Sequence, residues 1–238
     1  MEKYEEQFVL TCKNSGYENI SSEQLILFKK YYDFLSVWNE KINLTNITEI
    51  NDVYLKHFAD SVLGFNFFVN AKTIADIGTG AGFPGVVLAI LLPNAKIYLV
   101  DALQKRVNFL NELVKDLNLK NCIVLHNRAE DIDFKEKYLN YFDCVTARAV
   151  SAMPTLTEYC LPFVKVGGNF IAYKSENVSR ETLESEKAAK TMGGKKPEII
   201  TKKLCEDITR GFVVIKKQFA TSKTYPRGQN KPKDSPIL

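Results

Sequence analysis

The chain has 238 residues, 45% hydrophobic and 25% charged, with a net charge of +4, ordinary values for a globular protein with a sizeable core. They exclude a disordered chain, a collagen and a mini-protein that needs covalent staples. The longest apolar run, residues 86–92, stops at Pro93, too short for a membrane span, and the first residues lack a secretory apolar core, so a cytoplasmic protein is expected.

Five irregularly spaced cysteines (Cys12, Cys122, Cys144, Cys160, Cys205) without a Cys-x-x-Cys pair predict reduced thiols. With only His57 and His126 as histidines, no metal site is expected. The charge is uneven. Residues 1–186 hold 19 Lys/Arg against 24 Asp/Glu, and residues 187–238 hold 13 against 4. Such a basic quarter on an acidic body is the footprint of a polyanion-binding face.

In chain order, residues 1–70 read as a helical extension. Ser21 and Gln24 form a capping-box pattern ahead of Leu25, Phe28, Tyr32, Leu35 and Trp38 at helical spacing. A second helix is predicted over 52–63. From 71 to 220 short β-branched runs (73–77, 96–100, 122–126, 143–147, 169–173) alternate with helical segments (85–92, 104–118, 129–140, 154–165). This alternation predicts a doubly wound, largely parallel α/β sheet. After a polar helix at 179–192, strands 198–204 and 211–219 are too close for a crossover, so an antiparallel last strand is expected. Residues 221–238, with few apolar side chains and three prolines, read as an extended, mobile basic arm.

The densest signal is Asp76-Ile77-Gly78-Thr79-Gly80-Ala81-Gly82-Phe83-Pro84-Gly85, between the first strand and its helix. Glycines there let the backbone turn sharply and approach a ligand at the carboxyl edge of the sheet. Read from Gly80, the string also spells the dinucleotide pattern G-x-G-x-x-G, which keeps an NAD-type oxidoreductase open. Asp76 separates the two. A carboxylate there repels a pyrophosphate and suits a cationic ligand, which favours S-adenosylmethionine. Asp101, ending the second strand, is placed to hold ribose hydroxyls in either case.

Asp-x-Gly-x-Gly-x-Gly followed by a strand-end acid resembles the class I S-adenosylmethionine-dependent methyltransferases, a Rossmann-like fold. The fuller string resembles the RsmG (GidB) family of bacterial small-subunit rRNA guanine-N7 methyltransferases. Further motifs carry that resemblance in order: Trp38-Asn39-x-x-x-Asn43-Leu44-Thr45, His57-Phe58-x-Asp60-Ser61, Arg128-Ala129-Glu130, Ala147-Arg148-Ala149, Tyr225-Pro226-Arg227 and Lys231-Pro232. Lys174-Ser175 departs from it, where Lys-Gly is expected.

The resemblance implies cofactor contacts at Gly78, Phe83, Ala129, Glu130 and Arg148, beside Asp76, Gly80, Gly82 and Asp101 from the residues themselves. It also implies methyl transfer to N7 of guanosine 527, in the 530 loop of 16S rRNA, or of a small-subunit precursor. A methyltransferase acting on another RNA or a protein, and a non-catalytic RNA-binding protein, are the remaining alternatives. Guanine N7 carries a lone pair and no proton, so no general base is expected.

Arg148 reads as a crevice residue, with Asp143 as its competing ion-pair partner. His57 reads as structural, paired with Asp60 one turn on, on a helix that lines the substrate side. Lys195, Lys196, Lys202, Lys203, Lys216, Lys217, Arg227 and Lys231 are expected to hold RNA phosphates. A monomer with no membrane partner is expected.

Overall fold

A computed structural model describes residues 2–238. At its centre lie seven strands: β1 (Thr73–Ile77), β2 (Lys96–Asp101), β3 (Cys122–His126), β4 (Phe142–Arg148), β5 (Val164–Ser175), β6 (Glu198–Cys205) and β7 (Ile208–Lys216). Their order in the sheet is β3-β2-β1-β4-β5-β7-β6. The first five run parallel, and β7 lies antiparallel between β5 and β6. The expected α/β sheet with an antiparallel last strand is present. Ser175 pairs regularly with Arg210, so the departure at Lys174-Ser175 leaves an ordinary strand end.

The N-terminal part consists of α1 (Lys3–Asn14), α2 (Ser22–Ile42), α3 (Ile50–Val53), a π-helical turn (Tyr54–Ala59) and α4 (Asp60–Val62). The capping box closes as read: Ser21 Oγ accepts from the Gln24 backbone N–H at 3.2 Å, and Gln24 Oε1 accepts from that of Ser21 at 3.0 Å. Phe28, Tyr31 and Leu35 form the buried face of α2. Tyr31 thus takes the inward place that the spacing gave to Tyr32, which is half-buried. Asn43 ends the helix in the left-handed region at φ +47°. Asn39 Oδ1 then accepts from the backbone N–H groups of Leu44 and Thr45 (2.7 and 2.8 Å), which fixes where Thr45 stands.

Phe8, Phe28, Tyr54 and Phe58 stack edge-on or tilted, with ring centroids 4.6–6.2 Å apart. They belong to one buried cluster with Ile74, Leu88, Ile97 and Leu99 of the sheet layer. The helical extension is therefore continuous with the core on one face of the sheet. The opposite face carries a second cluster that includes Tyr98, Val100, Phe134, Phe163 and Val213. Alternation along β2, with Ile97 and Leu99 on one side and Tyr98 and Val100 on the other, supplies both.

Helices α5 (Gly85–Leu91), α6 (Gln104–Asp116), α7 (Ile132–Tyr138) and α8 (Met153–Cys160) fill the crossovers. The polar helix divides at Ser185 into α9 (Ser179–Glu184) and α10 (Glu186–Thr191). The C-terminal segment corrects the expectation of a mobile arm. It folds over α8 and ends in a short helix, α11 (Lys231–Asp234). Arg227 grips the fully buried Glu158 with Nε on Oε1 (2.8 Å) and Nη2 on Oε2 (2.7 Å), and its backbone N–H adds a third bond to Oε1 (2.9 Å). The Pro232 carbonyl accepts from Thr155 Oγ1 at 2.9 Å, and Ile237 packs against the second cluster.

The Arg227 clamp yields a stability prediction. Arg227→Ala leaves the Glu158 carboxylate buried without its countercharge, which costs about 3–5 kcal/mol. Urea unfolding of the variant should show this loss. The pair Arg227→Met with Glu158→Gln should recover most of it.

Candidate active site

The glycine-rich loop leaves β1 and folds back on two carboxylates. Gly78, Gly80 and Gly82 have φ of +72°, +61° and +96°, a region that side chains with a Cβ rarely adopt. A Cβ on Gly82 would stand 2.6 Å from the Tyr31 hydroxyl, which donates to the Ala81 carbonyl at 2.5 Å. Helix α2 thus props the loop from below.

Asp76 is fully buried. Its Oδ2 accepts from Thr79 Oγ1 (2.7 Å) and the Gly85 backbone N–H (2.8 Å), joining the two ends of the loop. Its Oδ1 has no partner among the described residues. Burial raises its pKa to about 6.

Asp101 is the acid expected at the ribose hydroxyls. It is buried, and its oxygens accept from the backbone N–H groups of Gly80 and Leu103, each at 2.9 Å. It braces the loop, and the next residue, Ala102, reaches the surface of the crevice.

That crevice, about 180 Å³, opens at the carboxyl edge of the parallel strands. Ile77, Gly78, Ala102, Ala129, Glu130 and Val150 line it, with Asn127, Arg128, Tyr159 and Asn230 at its rim and walls. Of the nine expected cofactor residues, Gly78, Ala129 and Glu130 line this space. Asp76, Gly80, Gly82 and Asp101 shape the loop, while Phe83 and Arg148 belong to a neighbouring cluster.

In that cluster Arg148 at the end of β4 bonds Asp60 Oδ2 through Nη1 at 2.7 Å, and Arg210 of β7 bonds Asp60 Oδ1 through Nε at 2.5 Å. The competing partner of Arg148, Asp143, is instead bonded to the backbone N–H groups of Lys72 and Thr73 and paired with Lys165. The guanidinium carbon of Arg148 lies 5.1 Å from the centre of the Phe83 ring, on which His57 stacks at 4.5 Å.

His57 does not pair with Asp60. Arg148 Nη2 donates to its Nδ1 at 3.2 Å, so the ring proton sits on Nε2 and is donated to Thr45 Oγ1 at 2.8 Å. Burial first, and the Arg148 charge second, lower the His57 pKa to about 3.

Residues 24–209 match the family described as rRNA small subunit methyltransferase G. Ribosomal RNA small subunit methyltransferase G of an Exiguobacterium species is 42% identical over 237 residues, covering 98% of this chain and 99% of the relative. Its counterpart from Clostridium perfringens is 44% identical over 219 residues, covering 91% of each chain. The chain belongs to the rRNA small subunit methyltransferase G family. In fold it resembles a SAM-dependent methyltransferase from Aquifex aeolicus, with a TM-score of 0.54, 18% identity, and 73% and 96% of the two chains covered.

The rival dinucleotide reading of the loop meets a physical objection in this family member. The Asp76 carboxylate occupies the Gly85 N–H at the start of α5, setting a negative charge by the helix N-terminus on which a pyrophosphate would sit. Among the described residues no group of three or more His, Cys, Asp or Glu is arranged to hold a metal ion, and no helix is long and apolar enough to cross a membrane.

The basic quarter does not form one surface. Lys217 is buried, with Nζ bonded to the Leu161 carbonyl and Thr221 Oγ1, and burial lowers its pKa to about 7. Lys202 is half-buried, bonded to the Leu63 carbonyl at 2.9 Å and seated over Phe67, and Arg227 is engaged with Glu158. These three are structural and leave the expected phosphate-binding set.

The remainder divides between the two edges of the sheet. Pairing of Asn169 with Lys216 and of Ser175 with Arg210 puts Lys216 about 20 Å from the carboxyl edge. Lys195 joins Lys216 there through its backbone. Exposed Lys203 lies toward the crevice edge, opposite Thr209, and Lys231 is exposed on α11.

Sequence reasoning missed Arg210, Tyr159 and Asn230. Strand register brings Arg210, the packing of α8 brings Tyr159, and the path of the tail brings Asn230.

The neutral His57 gives a pH signature. Its folded pKa lies below the ordinary 6.5, so acid favours the unfolded chain, which takes up the proton first. The stability advantage of the native chain over His57→Gln should shrink as pH falls from 6.5 toward 3, by up to about 1.4 kcal/mol per pH unit. Denaturant titrations of both proteins at stepped pH measure it.

Proposed function

We propose that the chain transfers the methyl group of S-adenosylmethionine to N7 of a guanosine in the 530 loop of 16S rRNA (guanosine 527), acting as a monomer in the cytoplasm. The observation that carries this reading is the crevice lined by Gly78, Ala129 and Glu130, in a chain that matches its relatives from end to end.

The residues fit such a ligand. Gly78 brings bare backbone to the crevice, where a Cβ would lie 2.7 Å from Val150. Glu130 offers an acceptor for an exocyclic amine, and Ala129 a small apolar floor for a flat ring. When bound, S-adenosylmethionine supplies an electrophilic methyl group on its sulfonium.

The rest of the chemistry asks little of the protein. Guanine N7 attacks with an in-plane lone pair and has no proton to lose, so alignment and exclusion of water dominate. His57 fits that demand: its Nδ1 lone pair is held by Arg148 and its Nε2 proton by Thr45, so it positions Arg148 and serves as no base. Arg148 and Arg210 against Asp60 leave one positive charge at the carboxyl edge, suited to drawing in an RNA phosphate. The thiols are spectators. Burial pushes the Cys144 pKa up to about 12 and raises that of Cys160 well above its ordinary value.

For RNA docking we favour the carboxyl edge, with Lys203 and Lys231 on phosphates. Lys195, Lys196 and Lys216 would engage only RNA that wraps the β6–β7 edge.

Small subunits from cells lacking the protein, incubated with it and labelled S-adenosylmethionine, should gain 7-methylguanosine on nucleoside mass analysis. Label in any other nucleoside, or none, would refute the proposal. Gly78→Ala should abolish the transfer, with a loss of about 1–2 kcal/mol in stability from its left-handed backbone.

RNA affinity against salt separates the lysines. The pair Lys203→Ala with Lys231→Ala should lower the salt slope by about 0.7 to 0.9 per lost contact. Lys217→Met should leave the slope unchanged.

A further inference from the structure

Residues 225–238 do more than cover α8. Buried Pro226 and the Arg227 clamp hold one end, and buried Pro232, bonded through its carbonyl to Thr155, holds the other. Between these anchors Gln229 and Asn230 both adopt the left-handed region, at φ +59° and +57°. Two successive non-glycine residues keep such a conformation only where their surroundings impose it. The result is that Asn230, more than a hundred residues from β3 in sequence, lines the crevice beside Glu130, whose Oε1 lies 3.8 Å from Nη1 of Arg128.

The orientation of its amide follows from its partner. Arg128 Nη1 lies 3.2 Å from the Asn230 side-chain oxygen, and a guanidinium only donates. Oδ1 is therefore the accepting atom, which leaves the two Nδ2 hydrogens as what Asn230 offers the crevice. Glu130, near the same Arg128 Nη1, offers only acceptors. A donor and an acceptor side by side suit an aminopurine, whose exocyclic amine donates and whose neighbouring ring nitrogen accepts.

We propose that the C-terminal segment is a wall of the methyl-donor site and that Asn230 is a specificity-determining residue, donating from Nδ2 to a ring nitrogen of the donor's adenine. This rests on the cofactor reading above and adds a residue to it.

Calorimetry on the full chain with S-adenosylhomocysteine and with 5′-methylthioadenosine, which lacks the amino-acid part, tests the proposal. Asn230→Gly keeps the left-handed backbone without strain and removes only the amide. Asn230→Asp keeps the shape and loses the donors. Both variants should bind both ligands about 3- to 15-fold more weakly, the worth of one hydrogen bond, and should melt within a degree or two of the native chain. Equal losses for the two ligands locate the contact on the nucleoside. If the native chain binds S-adenosylhomocysteine and both variants bind it equally well, Asn230 makes no contact and the proposal falls while the cofactor reading stands. If the native chain binds neither ligand, the cofactor reading falls and takes this proposal with it.

Discussion

The two oxygens of Asp60 take one guanidinium each, from Arg148 at the end of β4 and Arg210 near the start of β7. The carboxylate is 4% exposed, so its desolvation is offset only because both partners reach it with short bonds. Those bonds join three distant parts of the chain: the N-terminal helices, the parallel half of the sheet and the antiparallel strand. Arg148, once fixed, orders what surrounds it. It dictates the tautomer of His57, which in turn engages Thr45 on the turn after α2, and it covers the face of Phe83 in the glycine-rich loop. The N-terminal helices are thus part of the site's construction, as their share in the same core requires.

Two more buried acids serve a different end. Asp76 and Asp101 accept from the backbone of the glycine-rich loop or its hydroxyl, and so replace the strand partners that a chain of left-handed glycines cannot have. Their negative charge fixes the shape of the loop. The carboxylate that faces the crevice is Glu130, supplied from beyond β3.

Much of this was legible from residue order. Positive φ at Gly78, Gly80 and Gly82 is what a run of alternate glycines after a strand demands, and the strand–helix alternation dictated a parallel sheet. Arg148 was recognisable as a strand-end charge at the carboxyl edge, though it stands beside the crevice. Its partner was not: Asp143, the acid the sequence offered, is taken by Lys72, Thr73 and Lys165, and Asp60 arrives only with the packing of the N-terminal helices. Asp101 could have been read differently: an acid two residues before a helix-opening leucine can accept from that leucine's N–H, as it does here. Arg210 carried no local signal at all. The tail was misread for a physical reason, since its composition has almost no apolar surface and the bond that pins it is to a single acid hidden inside α8.

The separation of Asp60 from its two partners, 88 and 150 residues, also governs how the protein comes into being on the ribosome. The helices that carry Phe8, Phe28 and Phe58 are synthesised first, yet their acid has no countercharge until β4 has emerged and is not fully neutralised until β7 follows. Until Leu99 has followed them, the nascent chain displays an aromatic cluster without the sheet layer that buries it, a state prone to aggregation. The Asp60 lock is therefore a late event, complete only once Arg210 is available. A nascent chain halted before Arg210 would already carry the whole glycine-rich loop and crevice floor while lacking the lock that holds them in register.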